Sequence, residues 1–104
     1  MAFQVLFLAK AERQLADLPS PIRRRVQAAI DGLRENPRPS GVKKLRKSEN
    51  LYRVRVAAYR VIYLIKDEAV IVVVVSIGHR REVYEKLLKK YPRDKILEII
   101  SDDT

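Results

Sequence analysis

The sequence contains no cysteine, which excludes disulfides and thiolate-held metal and suits a reducing compartment. Its single histidine is His79. With one histidine and scattered acids, no metal-ligand spacing is readable, and no Ser/His/Asp arrangement for nucleophilic catalysis can be assembled. No glycine-rich loop that could cradle a phosphate is present, and no metal or cofactor is expected. Long apolar runs are missing as well. The longest, residues 69–75, has the length of a strand and falls far short of the roughly 18 residues of a spanning helix. The opening MAFQVLFLAKAERQ has no basic leader before its apolar residues and no small-residue cleavage pattern, so no signal peptide is expected. The expected location is cytoplasmic, without membrane contact. Internal repeats and low-complexity stretches are also lacking.

What is there suits one domain over residues 1–104, with one modest core. Hydrophobic residues make up 47% and charged residues 34%, a balance that suits a globular chain rather than a disordered one. The net charge is +9, and its distribution is uneven. Residues 1–20 carry two bases and two acids, and residues 61–104 carry eight of each. Residues 21–60 carry twelve bases and three acids, so the middle holds the whole surplus. A segregated surplus makes a local positive field that attracts polyanions.

The hydrophobic pattern predicts an α+β order. Residues 3–8 form an apolar, strand-sized run. Leu8, Ala11, Leu15 and Leu18 then recur at helical spacing. Pro19 and Pro21 interrupt that helix, with Ser20 placed as N-cap and Pro21 at the first position of a second helix. Ile22, Val26, Ile30 and Leu33 mark its buried face, and the breakers of residues 36–41 end it. The period then changes. Residues 52–57 alternate, residues 59–65 are β-branched and aromatic, and residues 69–77 form a run buried on both faces. Lys66, Asp67 and Glu68 suit a hairpin turn. Residues 81–90 read as a helix with Val83 and Leu87 inward. Beyond Pro92, residues 92–104 form an extension, with one more short helix expected over residues 94–100. The expected fold is an N-terminal strand and helical hairpin packed on an antiparallel sheet of about four strands, with a C-terminal helix. The hairpin covers one face. The other face, at least near the alternating arginines, is expected to be open to solvent or a ligand.

Three groups of residues carry possible chemistry. Arg53 and Arg55 lie two apart on a strand, so they share a face about 7 Å from each other. Arg60 joins that face if Ala58 and Tyr59 form a two-residue turn and Ala57 pairs with Arg60; a slip of one residue would move it to the opposite side. Guanidiniums gathered on one patch repel, and phosphate is the natural anion for their planar, bidentate donors. The second group is Gly78-His79-Arg80-Arg81-Glu82-Val83-Tyr84, where a buried strand leads into a helix, with Arg80 and Tyr84 expected to face the arginine strands. The third, Lys43, Lys44, Arg46 and Lys47, suits contact with RNA phosphates. Arg23, Arg24, Arg25 and Arg34 are read as a solvated helix face.

The pieces KKLR, YRVRVAAYRVIY and IGHRREVY, in that order, resemble the RelE/ParE superfamily of toxins. The resemblance covers residues 3–88. It implies the toxin of a type II toxin–antitoxin system. The ParE branch poisons DNA gyrase by protein binding. The RelE branch cuts mRNA in the ribosomal A site, and this chain looks like that branch. The resemblance implies a metal-independent endoribonuclease that uses the RNA 2′-hydroxyl as nucleophile. It implies that Arg55 and Arg60 stabilise the phosphorane, that Arg53 positions the backbone and that Arg80 lies near the leaving oxygen. Tyr84 would act as base or stack on the nucleobase, with His79 as a second candidate base. Implied partners are a RelB-like antitoxin, in a complex open to oligomerisation, and the ribosome with its mRNA. Two positions depart from RelE. It has lysines where this chain has Arg53 and Arg55, and a lysine at the position of His79. Arg does not deprotonate, so Arg55 is a poor proton acceptor.

Overall fold

The computed structural model describes residues 2–46 and 50–78, without the side chain of Arg46. The elements run β1 (Gln4–Phe7), α1 (Ala9–Ala16), α2 (Ser20–Gly32), β2 (Lys43–Arg46), β3 (Leu51–Val56), β4 (Tyr59–Lys66) and β5 (Ile71–Gly78). The helices expected over residues 81–90 and 94–100 lie outside the described residues.

The five strands make one sheet in the order β1-β5-β4-β3-β2. The three pairs among β2 to β5 are antiparallel, as short connections require. β1 instead runs parallel to β5, with Gln4 opposite Ile71 and Phe7 opposite Val74. The sheet is therefore mixed and has five strands, where about four antiparallel ones were expected. The additional strand, β2, was read from sequence as a basic loop junction. Its four residues are too short for the β pattern to stand out.

The helices form where the apolar spacing placed them. Ala11, Val26 and Ile30 are fully buried, and Leu33 nearly so. Leu8 caps α1 rather than joining it, and Leu18 falls in the turn after it. α2 starts one residue earlier than expected: Pro19 is the N-cap, and Ser20 caps nothing with its side chain. Pro21 still sits in the first turn, where a missing N–H has no cost. Arg23 Nη1 reaches back to the carbonyls of Ala16 and Leu18 at 3.3 and 3.4 Å, across the interhelical turn. Gln14 accepts the Ile77 N–H at 2.8 Å through Oε1, satisfying a β5 donor beyond the end of β1.

The helical hairpin covers one face of the sheet. Tyr52, Val56, Val61, Tyr63, Ile65, Val72 and Val74 form the core there with the helix residues. The opposite face is not open throughout. Leu51, Ile62, Leu64, Ile71, Val73 and Val75 form a second buried cluster on it, joined by Leu6, Leu8 and Leu45. Toward the β3–β4 turn this face becomes polar.

Candidate nucleic-acid interface

The polar end of that second face is set by strand parity. Arg53 and Arg55 alternate with Val54 and Val56, and the valines pack toward the helices. Both arginines therefore project on the opposite side. The β3–β4 turn is Ala57-Ala58, so Val56 pairs with Tyr59 and Arg55 with Arg60. The expected turn, at Ala58-Tyr59, differs by two residues in register. A shift of two preserves parity, which is why Arg60 still reaches the face of Arg53 and Arg55. Ala57 has a φ of 54°, a left-handed conformation that tightens this turn.

β2 adds a fourth cation. Lys43 is the Cα partner of Arg53 and Lys44 that of Tyr52. Directly opposed residues share a face, so Lys43 stands with the arginines and Lys44 on the helix side. The basic run at residues 43–47 is thus split: adjacent lysines serve opposite faces. The Arg46 side chain and Lys47 lie outside the described residues, as do His79, Arg80 and Tyr84.

The face therefore carries two like-charge cross-strand pairs, Lys43 with Arg53 and Arg55 with Arg60. Like charges directly opposite each other destabilise a sheet. Neither β3 nor β4 itself contains an acid. Lys43 and Arg55 are exposed, and Arg53 and Arg60 are half-buried. Arg55 Nε donates to the Ala57 carbonyl at 3.1 Å, which orients the guanidinium and leaves its two Nη groups directed away from that contact. Such a surface can bind successive phosphates or a phosphate on which charge is developing. Among the described residues, no group of three or more His, Cys, Asp or Glu comes together.

The helix side of β3 holds a different network, which the sequence did not suggest. Arg38 Nη1 and Nη2 donate to Asp67 Oδ1 and Oδ2 at 3.0 and 2.8 Å, a bidentate pair. Arg38 Nε donates to the Tyr52 hydroxyl at 3.0 Å. The Tyr52 ring stacks on Tyr63 with centroids 5.9 Å apart, and Tyr63 donates its hydroxyl to the Pro37 carbonyl at 2.7 Å. Burial raises the Tyr63 phenol above its ordinary value, helped by the neighbouring Tyr52. The hydrogen bonds from Arg38 hold the Asp67 carboxyl below its own. The alternation of Tyr52 with Arg53 was the one available signal that an aromatic faced inward here.

Fold and surface together define a small α+β protein with a basic sheet face. The profile of a family described as the ParE toxin of the type II toxin–antitoxin system parDE matches residues 5–84. The chain belongs to this family and is a RelE/ParE superfamily toxin of a type II toxin–antitoxin system. It is 31% identical over 94 residues to the mRNA interferase toxin RelE of Escherichia coli, covering 86% of this chain and 98% of that one. A free-state structure of a double mutant of E. coli RelE superposes with a TM-score of 0.73 at 30% identity, covering 86% of this chain and 98% of the other. The archaeal RelE–RelB complex from Pyrococcus horikoshii aligns with a TM-score of 0.71 at 27% identity, over 80% of this chain and all of that one. No helix among the described residues is long and apolar enough to cross a membrane.

Proposed function

We propose that this toxin is a ribosome-dependent endoribonuclease that cuts mRNA in the A site and is neutralised by a RelB-like antitoxin. The observation that carries this reading is the pair of like-charge cross-strand contacts, Lys43 with Arg53 and Arg55 with Arg60, on one sheet face. Cations gathered on one face in this way attract a polyanion. The name of the E. coli relative, an mRNA interferase toxin, supports messenger RNA as that polyanion.

The proposed reaction requires no metal. The 2′-oxygen attacks the adjacent phosphorus, its proton passes to a base, and the P–O5′ bond breaks as the 5′-oxygen gains a proton. Arg55 and Arg60 hold the non-bridging oxygens as charge builds on them. Arg53 and Lys43 position the flanking backbone. Arg80 protects the leaving oxygen's charge, and Tyr84 or His79 handles the proton; these three assignments rest on the sequence pattern. A site rich in cations and poor in strong bases gains most from a substrate held in line, which the ribosome supplies. The antitoxin would present an acidic and apolar segment that covers the basic face. The RelE–RelB complex from P. horikoshii supports such a partner.

Adding the purified protein to translating ribosomes should give cut mRNA with mapped ends in the A site, while naked RNA survives. Intact mRNA on ribosomes would overturn the proposal. The ParE description of the family profile favours a second reading, inhibition of DNA gyrase by protein binding. That reading predicts DNA damage and intact mRNA in the same cells.

A further inference from the structure

We propose that Tyr52 is a positioning residue: caged between Arg38 and Lys44, it fixes the register of β2 so that Lys43 stands on the arginine face. This inference rests on the reading of Lys43 as an RNA contact.

Apart from Leu45, packed on the second cluster, and Val42 before it, packed on the helix-side core, β2 has few anchors for its register. Among the described residues it is a four-residue edge strand paired with β3, and its register shifts between Lys44 and Arg46. A slip of one residue would reverse its faces. Because Lys43 and Lys44 are adjacent, such a slip would only exchange which lysine stands on the arginine face. Charge alone does not choose between the two registers, so the observed one needs a restraint.

Tyr52 supplies it from the opposite face. Its ring takes Lys44 Nζ at 6.0 Å and Arg38 Cζ at 5.2 Å from the centroid. Both cations are attracted to the ring's negative π cloud. With Lys44 held on the Tyr52 face, strand alternation sends Lys43 to the other. The cage also fixes the approach to β2. Tyr63 holds the Pro37 carbonyl, and Asp67 holds the Arg38 guanidinium from the β4–β5 turn. Only residues 39–42 lie between this anchor and Lys43. A slip would shift β2 by one residue, about 3.3 Å, against a tether that short. Tyr52 itself is buried with 8% exposure, so it acts through Lys44 and Arg38 and does not touch RNA.

The test measures the salt dependence of binding to a short unstructured RNA oligonucleotide. Wild type is compared with Lys43→Ala, Arg38→Met, Tyr52→Phe and the double variant Arg38→Met/Lys43→Ala. Lys43→Ala should reduce the slope of log affinity against log salt by about 0.7, one single-strand phosphate contact. Arg38→Met should reproduce that loss, speed amide exchange across β2 and add nothing in the Lys43→Ala background. Tyr52→Phe, which keeps the ring, should retain most of the wild-type slope. The rate of cleavage at saturating substrate should change little in Arg38→Met and Tyr52→Phe. If Lys43→Ala leaves the slope unchanged, the RNA-contact reading of Lys43 is wrong. If Lys43→Ala lowers the slope and Arg38→Met does not, the positioning role is overturned. A further loss in the double variant would make Arg38 a phosphate contact itself and would equally overturn it. Arg38 is exposed, so its replacement is expected to leave the fold intact.

Discussion

Tyr52 and Arg53 are neighbours in the chain and stand in opposite electrostatic surroundings. On the Tyr52 side of β3, positive charge is answered: Arg38 meets Asp67 and the Tyr52 hydroxyl, and Lys44 meets the Tyr52 ring. On the Arg53 side, cation faces cation across both neighbouring strands, and neither β3 nor β4 offers an acid. The first region lowers its own energy and ties distant segments together. The second sets like charges side by side across the strands. Net charge alone would not have separated the two, because both contribute to the same +9.

The largest effect that would break this contrast is in catalysis. Arg55→Ala and Arg60→Ala should each slow single-turnover cleavage on programmed ribosomes by about 10²–10³, or roughly 2.7–4 kcal/mol, as for loss of one oxyanion donor. The stability of Arg55→Ala, followed by urea unfolding, should stay within about 0.5 kcal/mol of wild type, because an exposed cation and a like-charge contact are removed together. An unchanged cleavage rate in both variants would remove the functional half of the comparison.

Next comes the clamp. Tyr63→Phe deletes the donor to the Pro37 carbonyl and should cost roughly 1–3 kcal/mol of stability in urea unfolding. The rate at saturating substrate should stay near wild type. Because the folded-state value of Tyr63 is raised, its contribution is complete below the ordinary tyrosine pKa of about 10 and is lost as pH rises through the folded value. Wild type should therefore lose stability in alkali more steeply than Tyr63→Phe. Parallel alkaline curves would contradict the buried, hydrogen-bonded phenol.

The smallest effect is expected at Asp67. The Arg38–Asp67 pair is well exposed, with side-chain exposures of 39% and 49%. Solvent screening therefore limits Asp67→Asn to about 0.2–1 kcal/mol. Asp67 is held low in the folded state, so its contribution is present above the unfolded carboxylate value of about 3.9 and fades as pH falls through the folded value. Melting temperatures of wild type and Asp67→Asn should differ at neutral pH and converge in acid.

Much of this was readable from local pattern. The helix faces of Val26, Ile30 and Leu33 follow from a period of 3.6, and the shared face of Arg53 and Arg55 from a period of two. Arg60 was placed on the correct side although the expected turn lies one residue from the observed one, because that moves the pairing by two and parity survives an even shift. The split of Lys43 from Lys44 was not readable. A basic run carries no alternation, so nothing in it says where a strand begins. The clamp was hidden for another reason: Arg38 and Asp67 are 29 residues apart, and a pair so distant leaves no periodic trace. The second apolar cluster was readable in part: the run at residues 69–77 implied burial on both faces, and Ile71, Val73 and Val75 belong to that cluster.

The amino-acid order by itself determined which residues are helical, which strands alternate and that the positive charge gathers in the middle of the chain, because these depend on neighbours a few residues away. The tertiary structure alone decided that β1 lies parallel beside β5, that β2 pairs with β3, and that Arg38 is held while Arg53 faces Lys43. Those outcomes depend on which distant segments meet, and the geometry of the packed sheet sets that.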